Sequence, residues 1–206
     1  MQLKNKLDKC FKEGEKGGER HKGLKKIELD EGLIDEHLKK AGHNLNAVTE
    51  FKNIRYSDWS ASAAFYALYH CLLASLIKFG YQSRNQTCTF AFIEDLINQG
   101  KISLKLEELK EIFDKDVTEN LAHSEKILDI RENMQYSFKT SMEEEFDKLL
   151  ERTKLLFDKI RREIENKKRN RKNRKIKAKG ITIKYKHVQN IRQIARINEK
   201  ILEEIK

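Results

Sequence analysis

The stretch that decides the fold is residues 58–80, DWSASAAFYALYHCLLASLIKFG. Its longest uncharged run, residues 59–77, contains three serines and a histidine, and it falls just short of the roughly 20 apolar residues that a membrane span needs. A helix this apolar must be covered on most sides by other parts of the protein. We therefore predict a buried central helix in a protein without a membrane segment.

Three polar-tipped aromatic side chains recur on this helix. Tyr66, Tyr69 and His70 are spaced i, i+3 and i+4, so a helix places them next to one another. Buried polar groups without partners are costly, and each of these groups needs a hydrogen-bond partner. The pattern predicts a polar pocket beside the helix, which could bind a nucleotide or a phosphate. The alternative is that neighbouring helices satisfy the three groups inside the core.

The rest of the chain is typical of an all-α protein. It has 206 residues, 37% of them charged, and no proline to interrupt helices. Apolar residues recur at helical spacing in 33–48, 87–98, 104–113 and 146–164. Asp30 is placed to cap the first of these helices, and Ser141 with Glu144 forms a capping box for the last. We predict a bundle of five or so helices that are joined by short turns and pack mostly antiparallel.

We predict three regions. Residues 1–29 form a short N-terminal helix and a flexible glycine-rich connection, EGEKGGERHKG, and residues 30–166 form the bundle. Residues 167–206 form a basic extension that ends in an amphipathic helix at 191–205, preceded by a strand-like alternation at 180–185. This extension has 15 Lys/Arg against three Glu, a net charge of +12 in a chain whose total is +10. The first 166 residues therefore sum to −2, and the basic character belongs to the C-terminus.

The densest charge is in residues 167–179, KKRNRKNRKIKAK, which have nine cations and no acid. Such a run repels itself, and a polyanion relieves that repulsion. We predict contact with RNA or another polyanion; the alternatives are an acidic protein, a membrane surface or a solubilising tail. No aromatic residue is present in the run to stack on bases, so binding there should be electrostatic and independent of sequence. The predicted contact residues are Lys167, Lys168, Arg169, Arg171, Lys172, Arg174, Lys175, Lys177 and Lys179.

The cysteines and the first residues favour a cytoplasmic protein. Cys10, Cys71 and Cys88 are an odd number of thiols without metal-ligand spacing, which fits reduced thiols in the cytoplasm. The beginning of the chain, MQLKNKLDKC, is charged and does not have the pattern of a signal peptide. We expect no metal and no cofactor.

Two segments resemble the HEPN domains of bacteria and archaea. The first is SAAFYALYHCLLASLIKFGYQSRNQTCTFAFIEDLI, residues 62–97, and the second is DIRENMQYSF, residues 129–138, followed by a last long helix. They are most similar to a small uncharacterised branch with an AYYAMFHA-type central helix, in which an Arg stands shortly before an ADY-type tripeptide. Arg131 and the tripeptide ending in Tyr136 occupy those positions here. The resemblance covers roughly residues 30–165.

The resemblance implies an all-α, up-and-down bundle of four to five main helices that forms a homodimer and binds a nucleotide or RNA. It also implies a partner nucleotidyltransferase, as in toxin–antitoxin pairs, and Tyr136 as an acceptor of a nucleotidyl group from that partner. It places Arg131 as a clamp on phosphate. From the residues themselves, Arg84 could bind an anion near the start of the helix that follows it.

Ribonucleases of this family have an Arg followed four to six residues later by a His. None of the six histidines of this chain stands in that position, and the fifth residue after Arg131 is Tyr136, whose ordinary pKa of about 10 makes it a poor base at neutral pH. The sequence around His123 resembles that around a ribonuclease histidine, but no arginine stands four to six residues before it. We therefore expect binding without catalysis. The alternatives are a ribonuclease with a displaced constellation, such as Arg131 with His123 or His70, and a helical adaptor that binds nucleic acid only through its basic C-terminus.

Overall fold

The computed structural model describes residues 2–18, 21–112, 131 and 146–166, and all structural statements below refer to these residues. The elements follow in the order α1 (Leu3–Lys16), β1 (Leu24–Lys26), α2 (Glu31–Asn53), α3 (Asp58–Lys78), β2 (Tyr81–Ser83), α4 (Gln86–Asn98) and α5 (Leu106–Ile112). A further helix covers residues 146–166 and is called α6. The described residues are mostly helical, which confirms the predicted helical protein.

The central helix predicted from the sequence is α3. Its buried residues include Phe65, Leu68, Leu72 and Leu76, none of which is exposed by more than 1%. By length and composition α3 is also the one described helix that could cross a membrane, but 78% of its apolar window is buried inside the protein. This burial makes α3 a core helix of the described fold.

The second layer of the core is α2, which runs antiparallel to α3. The side chain of Asp30 accepts a hydrogen bond from the Leu33 amide at 3.0 Å, so the predicted N-cap of α2 is confirmed. Ile34 and Val48 of α2 are buried against the core. Near the turn between the two helices, Ser60 Oγ donates a hydrogen bond to the carbonyl oxygen of Val48 at 2.8 Å.

A two-stranded sheet was not predicted. β1 and β2 pair antiparallel, with Leu24 opposite Ser83 and Lys26 opposite Tyr81. The pairing joins segments on either side of the α2–α3 hairpin, and the amide of Ile27 extends it by donating to the carbonyl oxygen of Gly80 at 2.9 Å. The strand that the sequence predicts, at residues 180–185, lies outside the described residues.

The prediction of three reduced cysteines is wrong for two of them. Cys10 of α1 and Cys88 of α4 form a disulfide, with their Cα atoms 5.7 Å apart and a sequence separation of 78. The two helices meet because apolar residues of both pack into one core, and that contact is invisible in local spacing. Cys71 is free and buried in α3, and burial raises the pKa of its thiol to about 12. Disulfides are uncommon in the cytosol, so the cysteines no longer support the predicted cytoplasmic location.

The glycine-rich segment 13–23, which the sequence predicts to be a flexible connection, is closely packed at two points, one in the last turn of α1 and one just before β1. A Cβ atom added to Gly14 would overlap the carbonyl oxygen of Leu24, and one added to Gly23 would overlap the carbonyl oxygen of Cys10. Backbone therefore meets backbone where α1 passes β1. The same compact unit, Met1–Ile164, contains α1 and the helices that follow it.

Ionic contacts join α5 to α6. Arg152 donates two hydrogen bonds to the carboxylate of Glu111, at 2.5 and 2.6 Å, and Lys159 Nζ lies 2.5 Å from Glu108 Oε2. Before α5, the amide and the hydroxyl of Ser103 both donate to Glu163 Oε2. These contacts fix α5, which is too short to be stable alone.

Candidate functional site

One stripe of α3 reaches the surface. Its members are Trp59, Ser62, Tyr66 and His70, and the positions between them are buried. Their spacings of three, four and four residues place them on one helical face. Tyr66 is 42% exposed and Trp59 57%, whereas Ser62 and His70 are half-buried. This open stripe is where a molecule in solution can reach the central helix.

Arg131 and Tyr66 meet at the buried ring of Phe65. The guanidinium carbon of Arg131 lies 4.2 Å from the centroid of the Phe65 ring, and the Tyr66 ring stands edge-on to Phe65 at 5.3 Å. A cation over an aromatic face is attracted by the negative charge of the ring. The Nε atom of Arg131 is buried and has no hydrogen-bond partner among the described residues. The structure thus brings two of the predicted site residues together and leaves an N–H donor beside the open stripe.

Tyr69 lies in the core and not on the open stripe. Its ring stacks on Phe65 at 5.8 Å between centroids, and its hydroxyl lies 3.3 Å from Thr89 Oγ1 of α4. Burial raises the pKa of Tyr69, because the ionised phenolate loses its hydration. Neighbouring helices satisfy this tyrosine, as in the alternative that the sequence left open for it.

His70 is paired with a histidine that the sequence did not single out. His37 Nδ1 of α2 lies 3.0 Å from His70 Nδ1, so one ring nitrogen donates a hydrogen bond to the other. Desolvation by burial is the main cause that lowers the pKa of both rings, and for His70 the neighbouring His37 and Lys40 lower it further, to about 4. Both imidazoles are therefore neutral at pH 7. The sequence could have pointed to His37, because this histidine lies among the apolar positions of residues 33–48, where a buried imidazole needs a hydrogen-bond partner.

Arg84 stands apart from the open stripe. It is exposed between β2 and α4, and its backbone amide donates to the carbonyl oxygen of Gly23 at 3.4 Å. The next helix is capped by Asn85, whose side chain accepts from the Cys88 amide at 3.1 Å. That cap already satisfies an amide at the start of α4, where an anion was expected to bind near Arg84.

Several predicted site residues lie outside the described residues. These are His123, Tyr136 and all nine cations of 167–179. The expected capping box at Ser141 and Glu144 lies outside as well. In the described ranges, no group of three or more His, Cys, Asp or Glu side chains is arranged to hold a metal ion.

In chemical terms, the site offers an exposed phenol ring, a guanidinium with a buried donor and a neutral imidazole pair. A phenol ring can stack on a base, and a guanidinium can donate to phosphate oxygens. A search against models of known protein families and a search of curated proteins found no match to this chain.

Proposed function

We propose that this protein binds RNA or a nucleotide at the open stripe of α3, with Tyr66 stacking on a base and Arg131 donating to a phosphate. The observation that supports this most is the unpartnered Nε of Arg131 next to the exposed ring of Tyr66. A buried donor without an acceptor is costly, and an anionic oxygen would satisfy it. The side chains of Tyr66 and Arg131 both pack on the buried ring of Phe65.

The histidine pair favours binding over cleavage. A general acid at neutral pH must be protonated, and the lowered pKa values of His37 and His70 keep both rings neutral. Each Nδ1 atom is also engaged by the other ring. A neutral pair can still donate and accept hydrogen bonds to a base or to a ribose hydroxyl, and this is the role we assign to His70.

The proposal extends to the rest of the predicted system. The protein would be a HEPN-like homodimer that works beside a nucleotidyltransferase, in a two-component arrangement of the toxin–antitoxin type. Tyr136 and the basic run 167–179 would serve as nucleotidyl acceptor and as a second, electrostatic contact with RNA. The resemblance of residues 62–97 and 129–138 to HEPN domains supports this part.

Binding of a labelled single-stranded RNA of about eight nucleotides, followed by fluorescence anisotropy, tests the site. We expect Tyr66→Ala to weaken binding by about 5- to 150-fold, the range for loss of one base–aromatic stack. Arg131→Ala should weaken binding by about tenfold or more, because a charge-assisted hydrogen bond is lost. Arg131→Lys should recover only part of this loss, since lysine lacks the planar fork.

Arg162→Ala is the matched control. Arg162 is a solvent-exposed arginine of α6 that pairs with Asp158 one helical turn away, so its removal changes net charge equally without touching the stripe. Equal affinities of wild type, Tyr66→Ala and Arg131→Ala would refute the proposed site. RNA bound only through the basic run would instead show a steep salt dependence that is the same in all three proteins.

A further inference from the structure

The turn between α2 and α3 has an arginine in a conformation that favours glycine. Arg55 has φ of +66° and is the only residue other than glycine with a positive φ in the described part of the chain. Its amide donates to the carbonyl oxygen of Lys52 at 3.0 Å, and the amide of Tyr56 donates to that of Phe51 at 2.7 Å. This pair of bonds is the Schellman motif that ends many helices, with Arg55 at the position that glycine usually occupies.

Backbone strain of this kind persists only where the surrounding structure imposes it. The left-handed conformation brings the Cβ atom of an L-residue close to the carbonyl oxygen, and glycine would avoid that cost. Residues held in such conformations cluster at functional sites. Arg55 is exposed, and its side chain makes no hydrogen bond or ion pair within the described residues.

Large apolar side chains surround Arg55 on the surface. Ile54 is 58% exposed, Tyr56 57% and Trp59 57%. Three of the five exposed large hydrophobic side chains among the described residues thus fall within six consecutive positions. We call Ile54, Arg55, Tyr56 and Trp59 the turn patch. Isolated exposed apolar residues are ordinary, whereas a cluster next to a strained arginine points to a binding surface.

The turn patch continues into the open stripe of α3. Trp59 belongs to both, and Tyr66 follows it by seven positions, or about 10 Å of helix. That distance equals about three steps of a stacked strand, at 3.4 Å per nucleotide. The four stripe positions contain no carboxylate, and cations stand at both ends, in Arg55 and Arg131.

We propose that the ligand of this site is a single-stranded nucleic acid that lies along α3, with one base on Tyr66 and another on Trp59. The side chain of Arg55 contacts a phosphate at the end opposite Arg131, and Tyr56 offers a further ring. This inference rests on the proposed function and specifies its ligand as a strand of several nucleotides. A double-stranded nucleic acid does not fit this site, because its bases are stacked inside the helix and their faces cannot contact the aromatic rings.

Trp59 is the only tryptophan of the chain, so its fluorescence reports this contact directly. We expect oligouridine of about eight nucleotides to quench the emission of the full-length wild-type protein on binding. Uridine monophosphate should occupy the Tyr66 end, where the unpartnered Nε of Arg131 favours its phosphate, and it should leave the emission unchanged because it cannot span the distance from there to Trp59. Trp59→Ala should weaken binding of the oligomer by about 5- to 150-fold and leave the affinity for the monophosphate unaltered.

The salt dependence separates the turn patch from the basic run. Stacking releases few counterions, so Trp59→Ala should lower affinity at every salt concentration without changing the slope of log K against log salt. Arg55→Gly removes one phosphate contact and should reduce that slope by about 0.7. Leu155→Ala is the matched control, because Leu155 is an exposed apolar residue of α6 that is 50% accessible. Circular dichroism spectra verify that each variant is folded.

The possible failures can be told apart. If the oligomer binds and Tyr66→Ala weakens it while Trp59 emission stays constant, the turn patch is not part of the site and the proposed function survives. If neither Tyr66→Ala nor Arg131→Ala affects the oligomer, the proposed function is wrong and this inference falls with it. A change of Trp59 emission with protein concentration, without RNA, would show that a second copy of the chain occupies the patch, and this also overturns the inference.

Discussion

Replacing Arg55 with glycine should make the protein more stable, although it removes a side chain. The left-handed conformation costs an ordinary residue about 1–2 kcal/mol, and glycine does not pay it. Glycine also has more conformational entropy than arginine in the unfolded chain, which reduces this gain by roughly 0.5–1 kcal/mol. The backbone bonds of Arg55 and Tyr56 stay in place, because they do not depend on the side chain. We expect a net gain of about 0.5–1 kcal/mol in the free energy of unfolding.

Urea and thermal unfolding followed by circular dichroism measure this gain. For a chain of this size, 1 kcal/mol corresponds to roughly 2–4 °C in Tm. Arg55→Ala is the control, since it deletes the same side chain and keeps the strained conformation, and it should be no more stable than wild type. A glycine variant less stable than wild type would refute the reasoning, because it would show that the arginine side chain stabilises the turn by more than its backbone strain.

Two further predictions concern the disulfide and the histidine pair. Cys10→Ser should lower the free energy of unfolding by up to about 4.5 kcal/mol relative to oxidised wild type, the value expected for opening a loop of this length, and urea titrations of the two proteins measure the loss. If oxidised wild type and the variant unfold at the same urea concentration, the bond contributes nothing. Since the folded pKa of His70 lies near 4 and the unfolded one near 6.5, the unfolded chain binds more protons between them, and stability should fall as the pH drops from about 6.5 to 4. His70→Asn should lose less stability over this range than wild type, with exposed His43→Ala as control; parallel losses in all three would contradict the assigned pairing.

The sequence predicted the features of this fold that depend on local patterns. The run without charge in 59–77 predicted α3, and Asp30 predicted the start of α2. Helical spacing also placed Tyr66 and His70 on one face, and the structure leaves both of them accessible on the open stripe. Each of these inferences compares residues within a few turns of one helix, where the geometry is fixed by the backbone.

Features that depend on distant segments could not be predicted. The pairing of Leu24 with Ser83 and that of His37 with His70 both require knowledge of how α2 packs on α3. Three cysteines permit several pairings, and nothing local distinguishes Cys88 from Cys71. For the same reason the sequence leaves open whether Tyr69 lines a pocket with Tyr66 and His70 or is satisfied in the core, because it does not show which side of α3 faces Thr89 of α4.

The close approach of α1 to β1 also bears on how relatives of this chain can be recognised. At positions 14 and 23 any side chain would collide with a carbonyl oxygen of the facing segment, so evolution can replace neither glycine without moving α1. Most surface positions of a protein so rich in Lys and Glu can drift freely. A true homologue, even one whose charged surface has diverged completely, should therefore keep this pair of glycines nine residues apart, together with the cysteines at 10 and 88 that join α1 to α4.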